Sequence, residues 1–182
     1  MYQWEYGDAP TKRKMVNKLF DIITEEQLVK IVKATKLLKY KLAFMLGFYQ
    51  CMRVSEIAKL RSEHVDKNLK LLYIKQAKGH KDRNIPIAPE VFTKLKHLPC
   101  GSDKSKDFGI RAIQYAFTSA TKKALGNSLN IHILRHSGIT HYLTKKKWNT
   151  MQVQRLAGHS KSSITEIYTH IRPEDLVERM WE

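Results

Sequence analysis

An imidazole, a guanidinium, a second imidazole and a phenol follow one another in the C-terminal part of this sequence. They lie in His132-Ile133-Leu134-Arg135, then Gly158-His159-Ser160, then Tyr168-Thr169-His170. These residue types suit work on a phosphodiester. A guanidinium grips two phosphate oxygens through its planar fork, and imidazoles move protons near neutral pH. A phenol can attack phosphorus, but with a pKa of about 10 it is a poor nucleophile until cations stabilise its oxyanion. Taken singly, each group has a plainer explanation. His132 and Arg135, three residues apart on one side of a helix, could belong to a solvated basic helix. Tyr168 could be a half-buried tyrosine with a hydrogen-bonded tip.

Two more cations stand upstream. Arg53 follows an apolar helix and precedes Val54-Ser55-Glu56. An arginine at such a junction needs a partner or a ligand, and Glu56 could orient it. Lys78, beside Gly79, falls at the tip of a basic turn. It could be one more solvated lysine, or an ammonium able to reach into a groove.

Other chemistries find little support. His132 and His136 have the i, i+4 spacing of a zinc-binding helix, but position 133 is Ile and no third ligand stands out. The glycines are dispersed, so no phosphate loop for ATP is expected. Paired carboxylates at strand ends, as two-metal nuclease chemistry needs, are missing. Neither metal nor cofactor is expected. Cys51 and Cys100 have neither metal-ligand spacing nor the makings of a disulfide framework.

The 182 residues fit one domain of ordinary size. With 33 Lys+Arg against 17 Asp+Glu, the chain carries a net charge of +16 and a pI near 9.8. Such a surplus implies an anionic partner, most often nucleic acid. The most apolar run, Leu42 to Met52, contains Gln50 and is shorter than the roughly 20 residues that span a bilayer. The opening Met1-Tyr2-Gln3-Trp4-Glu5 lacks the layout of a signal peptide. A reduced, intracellular protein is expected, and charge alone leaves a ribosomal-type protein or a membrane-surface binder open.

The elements that must position these groups can be read from periodicity. Residues 1–20 are polar and aperiodic, as a linker or arm would be. Thr24 and Gln27 form a capping-box pattern opening a helix with Leu28, Ile31, Val32 and Leu38 on one face. A second helix carries Leu42, Met45, Leu46 and Tyr49, and a short third begins at Ser55 and covers Ile57 to Leu60. Residues 69–75 and 83–87 read as a β-hairpin around the Lys78 turn, with Pro86 at an edge position. Helices are then expected over Pro89 to Leu98, Ile110 to Gly126, His132 to Lys145, Met151 to Ala157, Ser163 to Tyr168, and from Pro173 onward. The fold class is α+β, mostly helical with a small antiparallel sheet.

In this setting Cys51-Met52-Arg53-Val54-Ser55-Glu56-Ile57 resembles the first-arginine motif of the tyrosine recombinase (phage integrase) family. Residues 77–86 resemble its lysine hairpin. His132-Ile133-Leu134-Arg135-His136-Ser137, Leu156-Ala157-Gly158-His159-Ser160 and Ile167-Tyr168-Thr169-His170 resemble its remaining three boxes. The resemblance runs from about Asp21 to His170 and implies catalytic residues Arg53, Lys78, His132, Arg135, His159 and Tyr168, with Glu56 in support. It implies a catalytic domain over 21–182 in which Tyr168 forms a 3′-phosphotyrosyl link to double-stranded DNA and frees a 5′-hydroxyl. Arg53 and Arg135 would clamp the phosphate, Lys78 protonate the leaving oxygen, His132 exchange the tyrosine proton and His159 hydrogen-bond the phosphate.

Such recombinases usually carry an N-terminal DNA-clamping domain, so this sequence is expected to be a fragment of a longer integrase from a virus or other mobile element. Self-association into a tetramer on DNA is expected too. The amphipathic tail from Pro173 could dock on a neighbouring protomer or on its own domain. A type IB-like topoisomerase and a non-catalytic DNA-binding fragment are the alternative functions.

Overall fold

The computed structural model describes residues 22–75, 82–158 and 173–181. Its helices are α1 (Glu25–Ala34), α2 (Leu38–Tyr49), α3 (Val54–Lys59), α4 (Pro89–Phe92), α5 (Ile110–Leu125), α6 (His132–Thr144), α7 (Thr150–Ala157) and α8 (Pro173–Trp181). Three strands, β1 (Val65–Asp66), β2 (Leu71–Ile74) and β3 (Arg83–Pro86), form one antiparallel sheet in the order β1-β2-β3. Among the described residues, no helix is long and apolar enough to cross a membrane.

The expected α+β class holds, with differences at the edges. Thr24 does cap α1, accepting from the Gln27 N–H at 3.2 Å while Gln27 Oε1 accepts from the Thr24 N–H at 2.9 Å. The helix stops before Leu38, however. Thr35 leaves the helical conformation, and Leu38 opens α2 with its side chain 53% exposed. The third helix begins one residue earlier than expected, at Val54, which makes Arg53 its N-cap. The expected helix from Pro89 breaks into α4 and a 3-10 turn, Leu95–His97. The hairpin gains a partner in β1, while Leu69 falls outside it, its N–H taken by Asp66 Oδ1 at 2.8 Å. Pro86 does lie on an edge strand, where its missing N–H costs no ladder bond. The Lys78 turn and the helix expected over Ser163 to Tyr168 lie outside the described residues.

α2 is the axis of the core. Leu42, Phe44, Leu46 and Phe48 are all essentially inaccessible, as expected of a helix apolar all round. Phe44 meets Phe117 of α5 edge-on at 5.1 Å, a favoured aromatic geometry. α6 crosses α2 at two glycines. A Cβ at Gly47 would meet the Leu134 side chain at 3.1 Å, and one at Gly138 would overlap the Phe48 carbonyl oxygen. The absence of side chains there lets the two backbones approach closely enough for α6 to deliver Arg135 to the end of α2.

That end is fastened residue by residue. The Tyr49 carbonyl accepts from the Tyr142 hydroxyl at 2.8 Å. The buried Gln50 amide donates to the Pro86 carbonyl at 2.7 Å and accepts from the Ala88 N–H at 2.5 Å. The Cys51 carbonyl accepts from Arg135 Nη1. Helix α8 packs on its own domain rather than presenting its apolar face to solvent: Leu176 and Met180 are buried. Trp181 Nε1 donates to the Ile87 carbonyl at 2.9 Å. The Lys70 ammonium lies 3.7 Å from the Trp181 ring centre, within cation–π range.

The crossing makes a direct prediction. Gly138→Ala forces α6 away from Phe48 and should cost about 1–3 kcal/mol by overpacking. For a domain of this size that lowers the melting temperature by roughly 2–12 °C, measurable by thermal unfolding. An unchanged melting temperature would show that the crossing is slack.

Candidate active site

The site begins where α2 ends. Cys51 adopts a positive φ of 49°, which turns the chain sharply so that Arg53 can cap α3. The turn is locked from the other side by Glu56, in the first turn of α3. Its Oε2 accepts the Arg53 backbone N–H at 2.8 Å, and its Oε1 accepts from the Arg53 guanidinium Nη1 at 3.2 Å. A carboxylate suits that position, facing unpaired amides at the positive end of a helix.

Glu56 has a second and closer partner. Arg83, the first residue of β3, donates Nη1 to Oε1 at 2.8 Å and Nη2 to Oε2 at 3.1 Å. This is a two-pronged pair in which the two side chains are only 11% and 7% exposed. Burial pushes the Glu56 carboxyl up, but the hydrogen bonds and charges of Arg83 and Arg53 outweigh it and hold its pKa below the ordinary value. Glu56 is therefore a carboxylate at neutral pH.

Arg53 reaches further, donating Nη2 to the Gly158 carbonyl at 3.2 Å. Gly158 ends α7 with φ at 68°, a left-handed conformation that glycine adopts most easily. A Cβ there would fall 2.7 Å from the Arg83 guanidinium carbon. Glycine thus suits the position twice over, by its backbone freedom and by leaving room for the Arg83 guanidinium. Arg83 Nε is buried with no hydrogen-bond partner among the described residues.

Arg135, on α6, is 7% exposed. Burial, reinforced by the neighbouring charges of Arg53 and Arg83 and opposed by Glu56 and Cys51, brings its pKa down to about 10. It stays protonated at neutral pH, but under electrostatic pressure. Three guanidinium groups thus face one carboxylate, a local excess of two positive charges among the described residues. Such an excess suits an anion with several oxygens, such as a phosphodiester.

His132 opens α6 one turn before Arg135. Its side chain is exposed and its backbone N–H donates to Asn130 Oδ1 at 3.0 Å. Cys51 touches the cluster but cannot serve as a nucleophile, because burial pushes its thiol up to about 12. Of the residues expected from sequence, Arg53, Glu56 and Arg135 come together and His132 stands at the head of the same helix. Lys78, His159 and Tyr168 lie outside the described residues; Lys78 falls in the connection between β2 and β3, and His159 directly follows Gly158.

Arg83 was missing from the sequence-based set. A signal for it existed: strand alternation puts it on the face of Ile85 and Ile87, both fully buried. A charged residue there demands a charged partner.

Comparison with known proteins agrees with this geometry. The family model described as "Phage integrase family" matches residues 21–175. Among curated relatives, the tyrosine recombinase XerA of Pyrococcus horikoshii is 30% identical, the match covering 91% of this chain and 62% of that protein. XerC of Pseudomonas fluorescens is 36% identical over 68% of this chain and 46% of its own length. The chain therefore spans about half to three-fifths of these relatives. Among solved structures, the integrase from mycobacterium phage Brujita superposes with a TM-score of 0.72 at 21% identity, covering 88% of this chain and 56% of that one. A crystal structure of XerA recombinase gives 0.66 at 22% identity, over 86% and 63%. By family match, fold and arginine cluster together, this chain belongs to the phage integrase family.

Proposed function

We propose that this chain is the catalytic domain, over 21–182, of a site-specific DNA recombinase that cuts and rejoins DNA through a covalent 3′-phosphotyrosyl intermediate. The observation that carries this reading is the cluster of Arg53, Arg83 and Arg135 around the carboxylate of Glu56, a cationic seat suited to a phosphate group. The net charge of +16 supports a duplex partner, and the recombinases similar in sequence supply the reaction class.

In the forward step the Tyr168 oxygen bonds to phosphorus and the bond to the 5′-oxygen breaks. Lys78 gives that oxygen its proton, and His132 accepts the proton from the phenol. Arg53 and Arg135 hold the non-bridging oxygens, where charge builds in the transition state, and His159 adds a hydrogen bond to the same group. The tyrosyl phosphodiester conserves the energy of the broken bond, so a 5′-hydroxyl from another strand can reverse the step without ATP. Strand exchange needs several such sites at once. A lambda integrase solved as a tetramer bound to a Holliday junction shares this fold with a TM-score of 0.60, which favours a tetramer on DNA here as well. The reaction would take place in the cytoplasm of the cell that holds the DNA.

Tyr168→Phe, incubated with nicked suicide duplexes, should give no covalent protein–DNA adduct on a denaturing gel while wild type does. Adduct at undiminished yield would remove Tyr168 as the nucleophile. Arg135→Ala should leave duplex affinity largely intact and slow cleavage by about 10²–10³, the usual cost of deleting a pre-aimed donor to a developing oxyanion. Arg135→Lys, which keeps the charge but loses the fork, should be slow as well. Wild-type cleavage rates in both variants would rule out the clamp.

A further inference from the structure

Resting on the recombinase reading above, we infer that Arg83 is a positioning residue whose task is to neutralise Glu56, leaving the Arg53 guanidinium free for the scissile phosphate. Glu56 has two jobs that conflict. Its carboxylate must accept the Arg53 backbone N–H, because that bond, at 2.8 Å, holds the turn that aims Arg53. Yet a buried carboxylate beside a guanidinium is itself the best competitor for that guanidinium, since carboxylate and phosphate use the same two-pronged geometry. Left alone, Glu56 would draw Arg53 into a closed pair and remove it from the site.

The distances show how the conflict is resolved. Arg83 takes both carboxylate oxygens, at 2.8 and 3.1 Å. Arg53 contributes one side-chain N–H to Glu56, at the longer distance of 3.2 Å. Its side chain remains 35% exposed while that of Arg83 is 11% exposed. The inner arginine satisfies the carboxylate and the outer one is the more exposed. Gly158 leaves room for the inner arginine, since a Cβ there would come within 2.7 Å of its guanidinium. Arg83 also begins the strand that follows Lys78 in the chain, and the Gly158 carbonyl accepts from Arg53. The Arg83–Glu56 and Arg53–Gly158 contacts thus join the turn after α2, the start of β3 and the end of α7.

The test is a charge-balance series in the intact chain: wild type, Arg83→Met, and Glu56→Gln with Arg83→Met. The probe is a library of nicked suicide duplexes, and adduct formation is followed at saturating DNA per folded molecule, with folding monitored by circular dichroism. Arg83→Met leaves Glu56 to capture Arg53 and should slow adduct formation about a hundredfold, in the range for loss of a pre-aimed donor. The double variant removes the competing charge, while the neutral amide oxygen that replaces it can still accept the Arg53 N–H. It should recover to within about tenfold of wild type, the non-additivity expected of coupled neighbours.

A role confined to stability would not produce that rescue in rate per folded molecule. Wild-type rates in Arg83→Met, or a double variant slower than about one-hundredth of wild type, would overturn the inference. If Arg83→Met fails to fold, the charge-balanced double variant decides alone by the same threshold. An unsubstituted chain that forms no adduct with any duplex would instead remove the recombinase reading, and this inference with it.

Discussion

The carboxylate of Glu56 is the point on which the described structure turns. It is nearly inaccessible, so its charge must be compensated, and a buried acid with only one good partner would be costly. Two arginines from distant parts of the chain meet that need, one from the turn after α2 and one from the sheet. The consequence is an ordered stack: carboxylate at the base, Arg83 saturating it, Arg53 leaning outward, and Arg135 entering from α6. Each cation is fixed by contacts that do not involve a ligand, so the arginine cluster is set by the protein's own groups. Such pre-positioning is what makes electrostatic catalysis effective.

The scaffold serves the same end with apolar means. The α2–α6 crossing is close because Gly47 and Gly138 carry no side chains, and that closeness lets Arg135 reach a backbone carbonyl at the far end of α2. The turn from Tyr49 to Arg53 has its carbonyls and amide claimed by α6, by β3 and by the start of α4. A shift of Tyr49, Gln50 or Cys51 would break a contact to another element. The site's precision is thus borrowed from the core, a buried layer in which Phe44, Phe48 and Phe117 leave little room for adjustment.

Much of this was legible in the sequence, and the reasons are specific. The Thr24–Gln27 cap, the stripe on α5 and the edge placement of Pro86 follow from local rules, and local rules hold when neighbours do not compete. Arg53, Glu56, His132 and Arg135 were recognisable because the boxes around them are dense in unusual residue combinations. What local patterns could not reveal were long-range pairings. Arg83 lies 27 residues from Glu56 in the chain, and alternation along its strand indicates that it needs a charged partner without indicating which one. The strand β1 was missed because two residues leave no periodicity to detect. The spacing of Leu38 fits the stripe of α1, yet the chain leaves the helical conformation at Thr35 and Leu38 opens α2.

Strand β3 ends the sheet, and an uncovered strand edge is a template on which another chain can build. Here that hazard is managed twice. Pro86 has no N–H to offer, and α8 lies against the strand with Trp181 occupying the carbonyl of Ile87 just beyond it. The C-terminal helix therefore has a bearing on solubility that is independent of any role in catalysis. A rearrangement that lifts it from β3 trades an intramolecular seal for an adhesive border, and the chain must then find another strand, helix or protomer to cover it.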